Sequence, residues 1–195
     1  AWRIDPVLGW ISTLSAVGEA CFPPAAVDRA ALDWLRARQE ADGSLMGYFA
    51  PTCAFLMALD AVGGDGDRVR VDRGVAALRS WVVEDDRGAM QTHGPADLWN
   101  TASGLFALLQ ARGGEAPGEP ALRAADWLVA KPARRLGDWA RRTPPGTEPG
   151  GWDFGGVGDL YPDGDDTNLV LRTLLPYRQR FPRNFARGVR WLLAM

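Results

Sequence analysis

The sequence predicts an all-α chain built as an arc of an α/α toroid. Three observations lead there. Similar segments recur around Trp34, Trp81 and Trp127, spaced 47 and then 46 residues apart, with a fourth around Trp191. Each of the first three is followed by a more apolar stretch of helical length, and no segment shows a convincing period-two strand pattern. An amphipathic helix followed by an apolar one, repeated, gives half-exposed outer helices and buried inner helices around a cavity. A plain helical solenoid produces the same period and stays open as an alternative.

The elements follow in chain order. Pro6 to Pro24 is short, apolar and nearly uncharged, with Glu19 its one charge, and predicts a buried helix ahead of an interfacial one. Pro24 opens the next helix, whose segment ALDWLRARQEADGSL is the first outer unit. The first inner unit, APTCAFLMALDAVGG, starts near Pro51 and stops at Gly63-Gly64. ALRSWVVEDDRGAM around Trp81 reads as the second outer unit. DLWNTASGLFALLQARGG, ending in Gly113-Gly114, is its inner partner. AADWLVAKPARRLGDW around Trp127 is the third outer unit, and DDTNLVLRTLLPYRQRF the third inner one. Between them, Leu136 to Asp165 is too rich in Gly and Pro for helix. GVRWLLAM around Trp191 begins a fourth outer unit.

Composition narrows the functional classes. The 195 residues are 47% apolar, enough for a real core, and 22 Lys plus Arg against 24 Asp plus Glu leave no broad basic surface for nucleic acid. Cys21 and Cys53 lack any CxxC spacing and read as reduced, buried thiols of a cytoplasmic protein. His93 is the single histidine, so the ligands of a usual zinc site are missing. The sequence has no apolar run long enough to span a membrane, and its first residues lack the marks of a signal peptide.

The chemistry concentrates in Pro162-Asp163-Gly164-Asp165-Asp166-Thr167. Three carboxyl groups within four positions cannot all ionise cheaply, so one proton is expected to be retained at neutral pH, making a general acid. Helix capping is the competing role and suits Asp166 best; the helix dipole there opposes proton retention. A calcium loop is not matched, because Asn168 and Leu174 stand where its glycine and terminal glutamate belong. Nor is the DDxxD pattern, since Leu169 follows Asp165 at the fourth place. The expected site therefore holds no metal.

Superposing the repeats aligns Thr52, Thr101 and Thr167 near the starts of their inner helices, and with them Ala50, Trp99 and Asp165. In a toroid these positions face one end of the cavity, so Trp99 and the acids share a pocket. Most of the nine Trp, seven Phe and three Tyr are core. Trp99, Trp152, Phe154 and Tyr161 are the rings expected to face a cationic species there.

Gly150-Gly151-Trp152-Asp153-Phe154 followed by Tyr161-Pro162-Asp163-Gly164-Asp165-Asp166-Thr167 resembles the GGWxF and YPDxDDT signature of squalene-hopene cyclases and related class II terpene cyclases. Leu32 to Ser44, with Gln39, Asp42 and Gly43, is similar to the family's QW motif, Leu98 to Ala102 to its VWDTA, and Gly137-Asp138-Trp139 to its GDW. Arg187 to Leu193 resembles the helix ahead of the next QW motif. Asn100, Asn168 and Leu45 depart from the pattern, where the family has Asp, Ala and Trp.

The resemblance implies a βγ-type α/α barrel that protonates a terminal alkene or epoxide of a hydrophobic polyprenoid such as squalene. By matching position, Asp165 gives the proton, Asp163 and Asp166 hold its geometry, and Phe154 and Trp99 receive the cation. Gln39 belongs to structural belts. The resemblance also implies a middle portion of the enzyme, residues 1–85 ending the γ domain and 86–195 beginning the β domain. The family's histidine partner to the acid lies beyond Met195, and His93 does not match it. No cofactor is implied; Mg²⁺ enters only with a prenyl diphosphate substrate, for which Arg141 and Arg142 are candidate ligands. Pro6 to Pro24 falls near the family's monotopic membrane contact, which implies a cytoplasmic protein held peripherally on a membrane. A third reading, a non-catalytic half-toroid that needs a partner chain, rests on the apolar inner face such an arc exposes.

Overall fold

A computed structural model describes residues 24–113 and 118–195. Cys21 and, apart from Pro24, the Pro6 to Pro24 segment lie outside the described residues.

Seven α-helices are present among the described residues: α1 (Pro24–Arg36), α2 (Phe49–Val62), α3 (Arg68–Ser80), α4 (Asp97–Ala111), α5 (Glu119–Val129), α6 (Gly164–Leu174) and α7 (Pro182–Ala194). The apolar stretches form α2, α4 and α6. Here α4 packs on α5 and α6, and α6 on α7, so successive inner helices adjoin while outer helices flank them. This is the alternation of an α/α toroid, of which these helices make an incomplete arc.

Pro51 sits in the first turn of α2 and Gly63 ends it, its N–H donating to the Leu59 carbonyl at 3.0 Å. Leu32, Leu45, Phe55 and Leu59 form one core. A larger one gathers Leu98, Leu105, Leu128, Trp152, Val170 and Leu174. Yet α2 is apolar on its far side too, where Met57 is 72% exposed.

One segment departs from the expected all-helical pattern. The unit around Trp81 leaves helix at Ser80 and forms a hairpin, β1 (Val82–Asp85) against β2 (Gly88–Gln91), in antiparallel register Val82 to Gln91 and Asp85 to Gly88. The turn is fixed locally: Asp85 Oδ1 accepts the Arg87 N–H at 2.8 Å, and Gly88 takes a φ of 139°. Both strands are largely exposed, so no alternation of apolar and polar residues announced them.

The repeat is visible as a shared joint. Thr52, fully buried, accepts the Leu45 N–H at 2.9 Å and donates to the Tyr48 carbonyl at 2.6 Å. Thr167, equally buried, accepts the Trp152 N–H at 2.9 Å. In both cases a hydroxyl in the first turns of an inner helix pins the extended segment that precedes it. The Gln39 amide joins two segments, donating to the carbonyls of Gly43 and Arg70, each at 2.9 Å.

Contacts across the middle of the chain bring the acidic turn under the first half. Arg38 pairs with Asp138, Nε to Oδ2 at 2.7 Å. The Phe49 N–H donates to the His93 carbonyl at 2.8 Å, and the Trp99 N–H to the Phe154 carbonyl at 3.2 Å.

Candidate functional site

The acidic turn is set by one bridge and one cap. Trp152 and Asp163 pair as an isolated antiparallel bridge, the Asp163 N–H donating to the Trp152 carbonyl at 3.1 Å. Asp163 then opens α6 as its N-cap, Oδ1 accepting the Asp166 N–H at 2.8 Å. This corrects the sequence expectation that Asp166 would cap. Asp163 is the residue with extended backbone (φ −128°, ψ 171°), the geometry an N-cap requires, whereas Asp166 is already helical and supplies the donor.

The three carboxyl groups differ in surroundings. Asp166 is 2% exposed and its Oδ1 has no hydrogen-bond partner. Burial first, then the adjacent Asp163, pushes its carboxyl up to about 8. Asp163 is half-buried and is also raised, again chiefly by burial. Asp165 is exposed. Burial and crowding thus favour retention of a proton by the pair Asp163 and Asp166, against the pull of the α6 dipole.

Beside the turn lies a cavity of about 290 Å³ whose wall includes Tyr48, Trp139, Asp153, Phe154, Tyr161 and Asp163. Trp99 reaches it through Phe154, on which it stacks at 5.8 Å between ring centroids. Tyr48 also stacks on Phe154, at 5.9 Å, and on His93 at 6.5 Å, giving a continuous run of rings. The Tyr161 hydroxyl is buried without a partner, and burial raises its phenol.

Of the expected rings, Phe154, Tyr161 and Trp99 therefore gather at the acids. Trp152 does not: it is 0% exposed in the larger core, its indole N–H donating to the Leu128 carbonyl at 2.8 Å. Arg141 lies in a neighbouring cleft with Arg38 and Asp138, and Arg142 is exposed.

Three residues escaped the sequence reading. Tyr48 stands at the N-cap position of α2, without a side-chain cap bond, as Asp163 stands at that of α6, each four places before its aligned threonine, so the repeat register held the signal. Asp153 is buried in the cavity wall with its carboxyl raised to about 6 by burial. Glu40 is 1% exposed, Oε2 accepts the Asp159 N–H at 3.2 Å, and Oε1 has no partner.

Burial raises the Glu40 carboxyl from 4.5 to about 7. The fold favours its neutral form, so stability is greatest at acid pH and falls as pH climbs from about 4.5 through about 7. Glu40→Gln keeps an acceptor for Asp159 and removes the charge. It is expected to gain about 2 kcal/mol over wild type at pH 8 and little at pH 4, read by urea denaturation at the two pH values. An equal difference at both would show that ionisation of Glu40 plays no part.

Among the described residues, no group of three or more His, Cys, Asp or Glu side chains is arranged to hold a metal ion, and no helix is long and apolar enough to cross a membrane.

An arc of alternating inner and outer helices, carrying an acid turn against a run of aromatic rings, defines the architecture of a terpene cyclase. The chain belongs to the squalene-hopene cyclase family: residues 95–195 match the profile of the squalene-hopene cyclase C-terminal domain, and residues 6–87 that of the N-terminal domain. It is 34% identical over 170 residues to squalene-hopene cyclase of Alicyclobacillus acidocaldarius, covering 85% of this chain and 26% of that one. Identity to sporulenol synthase of Bacillus subtilis is 30% over 158 residues, covering 81% and 24%. To squalene-hopene cyclase of Schizosaccharomyces japonicus it is 32% over 177 residues, covering 86% and 26%. The chain thus spans about a quarter of the length of the curated relatives it matches.

Proposed function

We propose that this chain carries the acid of a class II terpene cyclase, which adds a proton to the terminal double bond of a linear polyprenoid such as squalene and closes rings through carbocations. The observation that carries this reading is a crowded carboxyl pair, raised by burial, beside a cavity walled by aromatic rings. An alkene is a very weak base, so the acid must be positioned and the cation received by oriented π faces instead of by water.

Asp165 is the donor. It is the exposed carboxyl of the turn and open to a substrate, while Asp166 is shut in and Asp163 is engaged as the cap. In the step, the proton held by Asp163 and Asp166 passes to the Asp165 carboxylate, the Asp165 O–H bond then breaks as the alkene π pair takes that proton, and the three acids are left one proton poorer. Asp163 and Asp166 hold its geometry and supply the retained proton. The new cation faces Phe154, backed by Trp99, with Tyr161 on the same wall. Trp152 serves from behind, keeping the bridge to Asp163 in place.

This step needs no cofactor. The rest of the barrel, from the same polypeptide or a partner chain, closes the cavity over the apolar inner face of the arc. Incubating the complete protein with squalene, geranylgeranyl diphosphate or farnesyl diphosphate, the last two with and without Mg²⁺, tests the reading by mass spectrometry of products. Cyclic isomers or hydrates of squalene are expected. Turnover of the diphosphates alone would move the protein to the bicyclic diphosphate class, and turnover of none would make the arc a non-catalytic half.

A further inference from the structure

Asp153 has no part in the scheme above, yet it stands closest in the chain to the bridge that fixes the acid turn. It is 7% exposed. Oδ2 accepts the Gly158 N–H at 3.0 Å, while Oδ1 is buried and meets no donor. The side chain forms part of the same cavity wall as Asp163, Phe154, Tyr48 and Tyr161. A carboxylate oxygen buried without a donor is costly, and a fold that served only to anchor Gly158 would be satisfied by a neutral acceptor.

We propose that Asp153 is a fourth carboxyl of the acid site, a positioning residue whose charge in the cavity wall keeps the proton on the Asp163–Asp166 pair. The use of that proton rests on the cyclase reading; the charge coupling does not.

The groups around Asp153 suit this role. From the acidic turn, Asp163 shares its cavity wall, with Asp165 and Asp166 next along the chain, and the charge of Asp153 is the smallest of the named causes that raise Asp166. From the segment before α2 comes Tyr48, whose phenol is raised by burial and by the same four aspartates. From the turn after α1 comes Glu40: a Cβ on Gly158 would lie 3.0 Å from Asp153 Oδ2 and 3.6 Å from Glu40 Oε1. His93 stacks on the adjacent Phe154 at 6.2 Å. Tyr161 closes the remaining side, and Arg38 behind it is engaged with Asp138. Negative charge at Asp153 is thus felt by the turn across the shared, ring-lined wall, where buried charges are screened less than exposed ones.

The test is Asp153→Asn, which retains an acceptor for Gly158. The carbonyl stretch of protonated carboxyl groups, followed by infrared difference spectroscopy against pH in the substrate-free complete protein, reports the acid pair. Its midpoint is expected to fall by roughly one unit in the Asn variant and to return in Asp153→Glu. The alkaline limb of turnover is expected to move by the same amount. A midpoint that stays in place in a folded variant overturns the proposal and leaves Asp153 as a loop anchor.

Should the Asn variant fail to fold, carboxyl ¹³C resonances of wild type decide. Asp153 and Asp166 must each titrate in two steps that mirror the other, and independent single steps overturn the coupling. A wild type that turns over no polyprenoid would sink the cyclase reading while leaving these titrations intact.

Discussion

Asp165→Asn is expected to lower turnover of the complete protein by about 10³-fold or more while its fold and thermal midpoint stay within a degree or two of wild type. Asparagine has nearly the shape of aspartate and no acidic proton. The exposed position of Asp165 means that little packing is disturbed, and the cap belongs to Asp163. The fall should appear in kcat with KM little changed, since the lost interaction is made in the transition state. Product formation by mass spectrometry together with circular dichroism checks both halves. Asp163→Ala gives a contrast, because it strikes the cap and the proton together. It should cost about 1 kcal/mol of stability as well as activity. Unchanged turnover in Asp165→Asn would take the donor role from that residue.

Trp152→Ala is expected to produce the largest loss of stability, about 3–5 kcal/mol, and a fall in thermal midpoint of order 10 °C. The ring is completely buried and its N–H satisfies the Leu128 carbonyl at the end of α5. Helix α7 is shaped to receive it: a Cβ on Gly188 would come within 2.5 Å of Trp152 Cζ3. Alanine leaves a hole on three sides and an unpaired carbonyl. The bridge to Asp163 and the latch from Thr167 would also lose their backing. Calorimetry reads the stability, and the alkaline limb of activity reads whether the acid turn loosens with it. Trp152→Phe, which refills most of the volume, should recover over half of the loss. A change below about 1 kcal/mol in Trp152→Ala would show that the ring is not the keystone of this core.

Much of this was legible in the residues. The inner helices announced themselves because α2 and α4 are apolar over whole turns, α6 carries an apolar face behind its acidic start, and Pro, Gly and Asp bound them at the expected places. The hairpin after Trp81 was not legible. Val82-Val83-Glu84-Asp85 lies flat on the surface, and a strand with no buried face leaves no periodic trace. The crowded acids were plain, but which of them caps was decided by backbone angles fixed through the bridge to Trp152, a contact the chain order does not reveal. Trp152 was read as a cavity ring because it neighbours Phe154. The extended run ends just past the bridge to Asp163, so Trp152 is turned into the core while Asp153 and Phe154 both reach the cavity. Asp153 and Glu40 look like surface acids in sequence. Only the packing of the 155–159 loop against the turn after α1 buries them.

The threonine latch has a wider consequence. The same joint closes beneath Leu45, where no reaction takes place, and beneath Trp152, where one is proposed. The joint therefore forms with or without carboxyl groups seated on it, and the rigidity of the loop does not depend on the acids. The vacant seat at Tyr48 to Ala50 is accordingly the natural place for a protein engineer to install a second proton source, facing the first across the same run of rings.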